Sequence, residues 1–230
     1  ALLADVNLRI ALIKEELIEI RDKYGDNRRS LIEYSGGDVS IEDLIADESV
    51  VVTISHAGYI KRTNLSEYKT QNRGGVGQKS AGTRDQDFLE HMFVATNHQY
   101  MMFFTQKGKC FWMRVYEIPE GTKTAKGRAI QNLVNIESDD KVKAYICTQD
   151  LKDKDYINSH NLIMVTKQGQ VKKTSLEKYS KPRVNGVAAI TIKEGDELLE
   201  AKLTNGESQI ILAVKSGKLV RFEETKTRPM

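Results

Sequence analysis

The chain has 230 residues, 40% of them hydrophobic and 29% charged, with 35 Lys and Arg against 32 Asp and Glu and a formal net charge of +3. That content can build one large or two modest domains, and it excludes a disordered or low-complexity chain. No apolar run is long enough to span a bilayer and no secretory signal opens the chain, so a soluble, cytoplasmic protein without a membrane partner is expected.

The first predicted element is a helix over residues 1–25. Leu3, Val6, Ile10, Ile13, Leu17, Ile20 and Tyr24 keep a strict three-four spacing until Gly25, which is the seam of a coiled coil. Glu19 and Lys23 lie off the seam one turn apart, a surface pair with no functional role. Only about three heptads are present, and such a helix needs a partner segment. Residues 26–47 turn polar, with Ser35-Gly36-Gly37-Asp38 as their weakest point, and are read as a linker.

From residue 48 onward one pattern recurs: an apolar strand, a tight turn at glycine, then a strand carrying basic residues. The copies are Val50 to Arg62, Met102 to Arg114, Ile163 to Lys173 and Ile211 to Arg221. Their turn glycines Gly58, Gly108, Gly169 and Gly217 lie 50, 61 and 48 residues apart. A period near fifty suits a four-stranded unit of a propeller-like array. Each glycine stands where a hairpin between twisted strands needs a positive φ. The further strands of one unit, a blade, are expected at Gly186 to Ile192, Leu198 to Leu203 and, after Asn205-Gly206, Gln209 to Val214, with counterparts at Gly127 to Leu133 and Ala144 to Thr148. A polar insertion, Gln149 to His160, interrupts the series.

Charge is divided unevenly. Residues 1–50 hold 6 basic and 12 acidic side chains, so the repeats carry the positive surplus. Lys61-Arg62, Lys172-Lys173, Arg114 and Arg221 all follow the turn, which predicts that stacked units set them around one rim, a surface suited to nucleic acid. Scattered surface lysines that merely solubilise a β surface are the plainer alternative.

Other residues support plainer readings. Cys110 and Cys147 fall within strand patterns without CxxC spacing and are expected to be reduced core thiols. His56, His91, His98 and His160 lack metal-like spacing, and Trp112 with Phe103, Phe104 and Phe111 reads as core. Neither Tyr24 nor Tyr59 has the surroundings of a catalytic tyrosine. Gly74-Gly75-Val76-Gly77-Gln78-Lys79-Ser80 is not a phosphate-binding loop, because Gln78 stands where the last glycine is required and no parallel strand precedes it. It also fails the dinucleotide pattern, since Ser80 takes the third glycine position.

The heptapeptide Gln71-Asn72-Arg73-Gly74-Gly75-Val76-Gly77 instead resembles the gyrase box, QRRGGKG, of the DNA gyrase A family. Thr53 to Arg62 and Glu117-Ile118-Pro119-Glu120-Gly121 resemble its flanking segments. Asn72 and Val76 replace basic residues of the usual box and leave Arg73 as its one formal charge. The resemblance covers the whole chain: residues 1–25 are similar to the returning helix of the family's coiled-coil arm, and residues 48–230 to the start of its C-terminal β-pinwheel. It implies a mainly β fold of about three and a half four-stranded blades where the family has about six.

The family likeness further implies wrapping of double-stranded DNA, so that ATP-dependent strand passage by a type II topoisomerase introduces negative supercoils. Candidate DNA contacts are Lys61, Arg62, Arg73, Lys79 and Arg84 on the first blade, Arg114, Lys123, Lys126 and Arg128 on the second, Lys172, Lys173, Lys181 and Arg183 on the third, and Arg221 on the fourth. Gly74, Gly75 and Gly77 would shape the box loop. The likeness assigns no catalytic residue, metal or cofactor to this chain. ATP and Mg2+ enter through the gyrase B protein, and the partners are a second gyrase A chain and two gyrase B chains in an A2B2 assembly. Two other readings fit the repeats: the corresponding domain of topoisomerase IV, in which the box is degenerate, and a propeller that binds proteins. Replacing Gly75 and Gly77 with alanine should abolish supercoiling by the reconstituted enzyme while relaxation or decatenation persists; unchanged supercoiling would contradict the assignment.

Overall fold

The computed structural model describes residues 5–26, 29–30, 41–68, 73–74, 82 and 86–230. They fall into two compact units, residues 1–40 and 41–230. In the first, helix α1 (Val6–Tyr24) starts at Asp5, whose carboxylate accepts from the Asn7 amide, and stops where the Gly25 amide bonds to Arg21. Arg21 and Lys23 in its last turn complement the helix dipole. The expected seam residues Val6, Ile10, Ile13, Leu17, Ile20 and Tyr24 are all exposed. The second unit begins at Ile41, so residues 41–47, expected to be linker, belong to it.

That second unit is built from antiparallel strands. β1 (Ser49–Ser55), β2 (Tyr59–Asn64), β3 (Leu89–Thr96) and β6 (Arg128–Ala129) form the first sheet, in the order β3-β1-β2-β6. The second sheet, in the order β10-β5-β4-β7, joins β4 (Tyr100–Thr105), β5 (Lys109–Arg114), β7 (Val142–Thr148) and β10 (Val187–Ala188). β8 (Asn161–Thr166), β9 (Val171–Ser175) and β11 (Leu198–Thr204) make a third, and β12 (Gln209–Ala213) with β13 (Leu219–Glu223) a two-stranded fourth. The polar insertion folds in part into α2 (Lys154–Ser159), capped by Asp153.

The four hairpins share one turn. The amides of Gly58, Gly108, Gly169 and Gly217 bond back to Ser55, Thr105, Thr166 and Val214, and all four glycines have φ between +81 and +86°. In the first three, the Ser or Thr hydroxyl also accepts the amide after the glycine. The exposed turn amides of those three need an acceptor, and an aspartate just before the third strand supplies it. Asp87 accepts from Ala57 and Phe88, Asp140 from Lys107 and Lys141, and Asp196 from Gln168 and Glu197. For Asp87 and Asp196, desolvation opposes the charge, but the donors outweigh it and hold both carboxyls below their usual range.

The outer strand of each complete sheet comes from the following repeat. β6 lies beyond β5 in sequence yet pairs with β2, and β10 lies beyond β9 yet pairs with β5. The expectation that Gly186 to Ile192 and Leu198 to Leu203 share one blade is thereby corrected. A hairpin edge left with unpaired amides and carbonyls needs a partner, and the next repeat provides it. Blades are thus interlocked, with the core in the layers between them. Met101 and Phe103 of β4 pack toward the first sheet, with Val52, Ile54 and Ile60, while Met102 and Phe104 pack toward the third, with Leu162, Met164 and Leu198. Burial on both faces explains the unbroken apolar run in β4.

Gly108 and Gly169 have the same φ but different surroundings. A Cβ at Gly108 would stand 2.2 Å from the Ile190 carbonyl oxygen, whereas nothing lies within 4 Å of one at Gly169. Gly169→Ala should cost about 1–2 kcal/mol for the left-handed backbone, and Gly108→Ala roughly 1–3 kcal/mol more for the collision. Equal urea midpoints for the two variants would contradict this interlocking.

Candidate nucleic-acid interface

The strand register separates residues that the spacing had grouped. Arg62, Trp112, Lys173 and Arg221 occupy one position, opposite Val52, Met102, Ile163 and Ile211. Arg114 lies two residues further, opposite Tyr100, at the cap of the 3-10 turn Val115–Glu117.

Most of the cations that follow the turns point inward, which corrects their placement on an open rim. Lys61 is 3% exposed, and its ammonium donates to the carbonyls of Thr122 and Lys123 at 2.9 and 2.6 Å. Burial lowers its pKa, against the pull of Glu67. Arg62 donates to the Ile118 carbonyl and pairs with Glu120 at 3.1 Å. Lys172 donates to the Ala189 carbonyl at 2.7 Å, and burial, then the nearby Lys178, lowers its pKa. Lys173 is buried in an ion pair of 3.0 Å with Glu224. Arg114 is buried, paired with Glu42 at 2.7 Å, donating to the His98 carbonyl and lying over the Tyr100 ring. For Lys61, Arg62 and Lys172 the reason is the strand exchange: crossing segments bring carbonyls that the strand ladder does not use to the sheet edge, and a long cationic side chain reaches them.

Glu224 shows what this demands. It occupies the position held by Leu65, Val115 and Leu176 after the other three turn glycines, and it is fully buried. Thr204, the Ser208 and Gly206 amides, Asn161 and Lys173 all donate to it. Desolvation works against its charge, but Lys173 and the other donors prevail and keep its carboxyl below the ordinary range. Its contribution to stability is therefore present above the ordinary carboxylate pKa and lost as pH falls through the lowered one.

The crossing segments themselves face outward. Residues 118–129 carry Lys126 and Arg128 exposed, with Lys123 partly exposed and over the Tyr68 ring at 4.8 Å. Residues 180–188 carry Lys181 and Arg183, both exposed, and Arg228 is exposed at the third such segment. Arg73 is exposed in a turn with Gly74, whose φ is +89°. Arg221 is also exposed, donating to Gln209. Gln71, Asn72, Gly75, Val76, Gly77, Lys79 and Arg84 lie outside the described residues.

The hairpin-turn ends contrast with this. Lys107 and Lys109 are bound by Glu137 and Asp139, which lowers the Glu137 pKa to about 2 through the hydrogen bonds from both lysines. Lys167 and Lys143 pair with Glu197, and His56 lies 3.1 Å from Glu90. Positive charge is thus matched at the second and third turns, exposed on Lys215 and Lys218 at the fourth, and surplus on the crossing segments.

Arg228 was missed in the sequence, although a signal existed. The chain has 3 prolines, and Pro119, Pro182 and Pro229 each stand at the start of a crossing segment. Proline lacks an N–H and suits the beginning of an edge strand.

No cluster of His, Cys, Asp and Glu among the described residues could hold a metal ion, and no helix among them is long and apolar enough to cross a membrane. Cys110 is buried, and burial also pushes the Cys147 thiol up to about 11, so both are unreactive thiols rather than nucleophiles.

The family model described as DNA gyrase C-terminal domain, beta-propeller matches residues 49–96, 99–149 and 160–205. The DNA gyrase A protein of Clostridium acetobutylicum is 39% identical over all of this chain, which spans 27% of that protein. Its counterpart in Neisseria gonorrhoeae is 43% identical over 93% of this chain and 23% of its own length. The chain therefore spans about a quarter of these relatives. Among solved structures, the C-terminal domain of DNA topoisomerase IV superposes with a TM-score of 0.66 at 28% identity, covering 81% of this chain and 55% of that one. A DNA gyrase A C-terminal domain gives a TM-score of 0.60 at 22% identity, over 80% and 57%, and shares the fold.

Lys173→Met should lower the unfolding free energy by about 3–5 kcal/mol by leaving Glu224 buried without its cation. Lys181→Ala should change it by no more than about 0.5 kcal/mol. Equal denaturation midpoints for these two variants would restore Lys173 to the surface.

Proposed function

The chain belongs to the DNA gyrase C-terminal domain, beta-propeller family, and from that premise we propose that it binds and bends duplex DNA along the outward faces of its crossing segments. One observation carries this reading: successive blades each expose unmatched cations on the strand-exchanged segment, with Lys126 and Arg128 on one, Lys181 and Arg183 on the next and Arg228 on the third. A wrapping surface needs many shallow phosphate contacts spaced along an edge, and it needs no pocket. Bending 20–30 base pairs costs on the order of 1–6 kcal/mol, which distributed phosphate neutralisation and counterion release offset.

Residues 68–85 follow the 3-10 turn Leu65–Glu67 as residues 118–129 follow Val115–Glu117, so the box loop holds the same position in its repeat as a crossing segment. Arg73, with Lys79 and Arg84, would extend the same basic series toward the start of the unit. Lys61, Arg62, Lys172 and Lys173 act one step behind it, by holding the segments that carry the contacts.

In the parent protein this surface would serve a type II topoisomerase, with two gyrase A and two gyrase B chains assembled and with ATP and Mg2+ handled by gyrase B. DNA held with a fixed hand would then make each strand passage introduce a negative supercoil. The resemblance to the topoisomerase IV domain supports a second outcome, decatenation without supercoiling. The near-complete box favours the first. A linking-number assay on relaxed circles separates the two.

Removing Lys126 and Arg128 together should reduce the slope of log K against log salt for duplex binding by about 0.9 per lost phosphate contact, without changing stability. Lys61→Ala should do the reverse, lowering stability with little change in slope. A slope unaffected by the double substitution would overturn the proposed interface, and weak, salt-independent DNA binding by the wild type would favour a protein-binding propeller.

A further inference from the structure

Residues 41–48 form a short strap, with the 3-10 turn Ile41–Leu44 at its start, that lies against the turn between β3 and β4. Its backbone is bound at several points. The Glu48 carbonyl accepts from the Asn97 amide, the Ala46 carbonyl from the Asn97 side chain and the Ile45 carbonyl from His98 Nε2, while the Asp47 carboxylate accepts the His98 amide. Glu48 also accepts from the Asn64 side chain at 2.9 Å.

At the far end of the strap, Glu42 makes the long-range contact. Its carboxylate takes Arg114 at 2.7 Å, and Lys152 of the polar insertion stands 4.0 Å away. Arg114 is held for this by the Tyr100 ring, 3.8 Å below its guanidinium, and by the His98 carbonyl. The strap's apolar side chains anchor it little: Ile41 and Leu44 are 74 and 77% exposed, and Ile45 alone is partly covered. Polar contacts supply most of its attachment, and the Glu42–Arg114 pair is the most buried charged contact among them.

We propose that residues 41–48 are a releasable strap, that the Glu42–Arg114 pair is its latch, and that Arg114 is a positioning residue for supercoiling rather than a DNA contact. This rests on the DNA-wrapping function proposed above. While the strap is docked, the chain that precedes the blades is fixed at Ile41. Once released, it is fixed only at Ser49, and eight residues of extended chain add roughly 26–29 Å of reach. A tether of that variable length sets how tightly wrapped DNA is held to the remainder of the parent protein. A short tether transmits the hand of the wrap, and a long one loses it. Arg114 departs from the other turn-following cations in its partners: among the described residues its guanidinium meets Glu42 of the strap, the His98 carbonyl and the Tyr100 ring.

The test uses the full-length protein assembled as its holoenzyme, with Glu42→Lys to repel Arg114 and Lys152, and Glu42→Asp as the conservative control. Hydrogen exchange at the Asn97 and His98 amides reports strap release directly, and exchange in β4 reports the fold. In Glu42→Lys these two amides should exchange on the order of tenfold faster or more, as expected for the loss of a charged hydrogen bond, with β4 unchanged. Negative supercoiling should fall while duplex affinity and relaxation hold, and Glu42→Asp should behave nearly as the wild type.

Unchanged protection at Asn97 and His98 in Glu42→Lys would show that the pair is not the latch and overturn the proposal. Faster exchange with undiminished supercoiling would overturn the positioning role. Loss of duplex affinity in Glu42→Lys would also overturn it, by placing the strap in the DNA interface. Failure of the wild-type holoenzyme to supercoil would count against the function proposed above, while the exchange result would still judge the latch.

Discussion

The hairpin edge that each repeat leaves open is the constraint on which this structure depends. β2 and β5 are each completed by a strand from the following repeat, β6 and β10. An unpaired edge exposes amides and carbonyls to any passing strand, and strand exchange closes it within the chain. The exchange has an electrostatic consequence. Crossing segments arrive with carbonyls that the ladder does not use, and Lys61, Arg62 and Lys172 reach them.

Charge in this protein therefore divides into two populations that composition cannot tell apart. One is structural and inward, hydrogen-bonded to carbonyls or neutralised by carboxylates such as Glu120, Glu42 and Glu224. The other is outward and unmatched, on the loops that the first population holds in place. The two are coupled, because a crossing segment displays Lys126 and Arg128 in a fixed direction only while Lys61 and Arg62 grip its start. Stability of the interlocked sheets thus rests on one set of cations, and the proposed affinity for an extended polyanion on another that the first set holds in place.

Much of this was legible in the sequence. The four glycines marked the hairpins because a positive φ has few other solutions, and all four have it. The aromatic cluster Phe103, Phe104 and Phe111 marked core, and all three are buried. The heptad spacing marked α1. The exchange itself was not legible, since Gly186 to Ile192 reads as a strand whichever sheet it joins, and pairing is a long-range choice that local pattern does not record. The direction of Lys61 and Lys173 was hidden for the same reason: alternation places a lysine on one face of a strand, but whether that face is open depends on what crosses it. The aspartate clamps Asp87, Asp140 and Asp196 escaped notice because an acidic residue in a polar loop is the commonest of patterns, and only the turn amides make it specific. Arg114 was grouped by proximity to its glycine, whereas register sets it two residues beyond Trp112.

The most direct measurement of this division is lysine-reactivity footprinting of the full-length holoenzyme with and without duplex DNA, read residue by residue. Lys126 and Lys181 should be reactive in the free protein and protected when DNA is bound, while Lys61 and Lys173 stay unreactive in both states. Lys61 and Lys173 reactive without DNA and shielded by it, with Lys126 and Lys181 indifferent, would contradict the account.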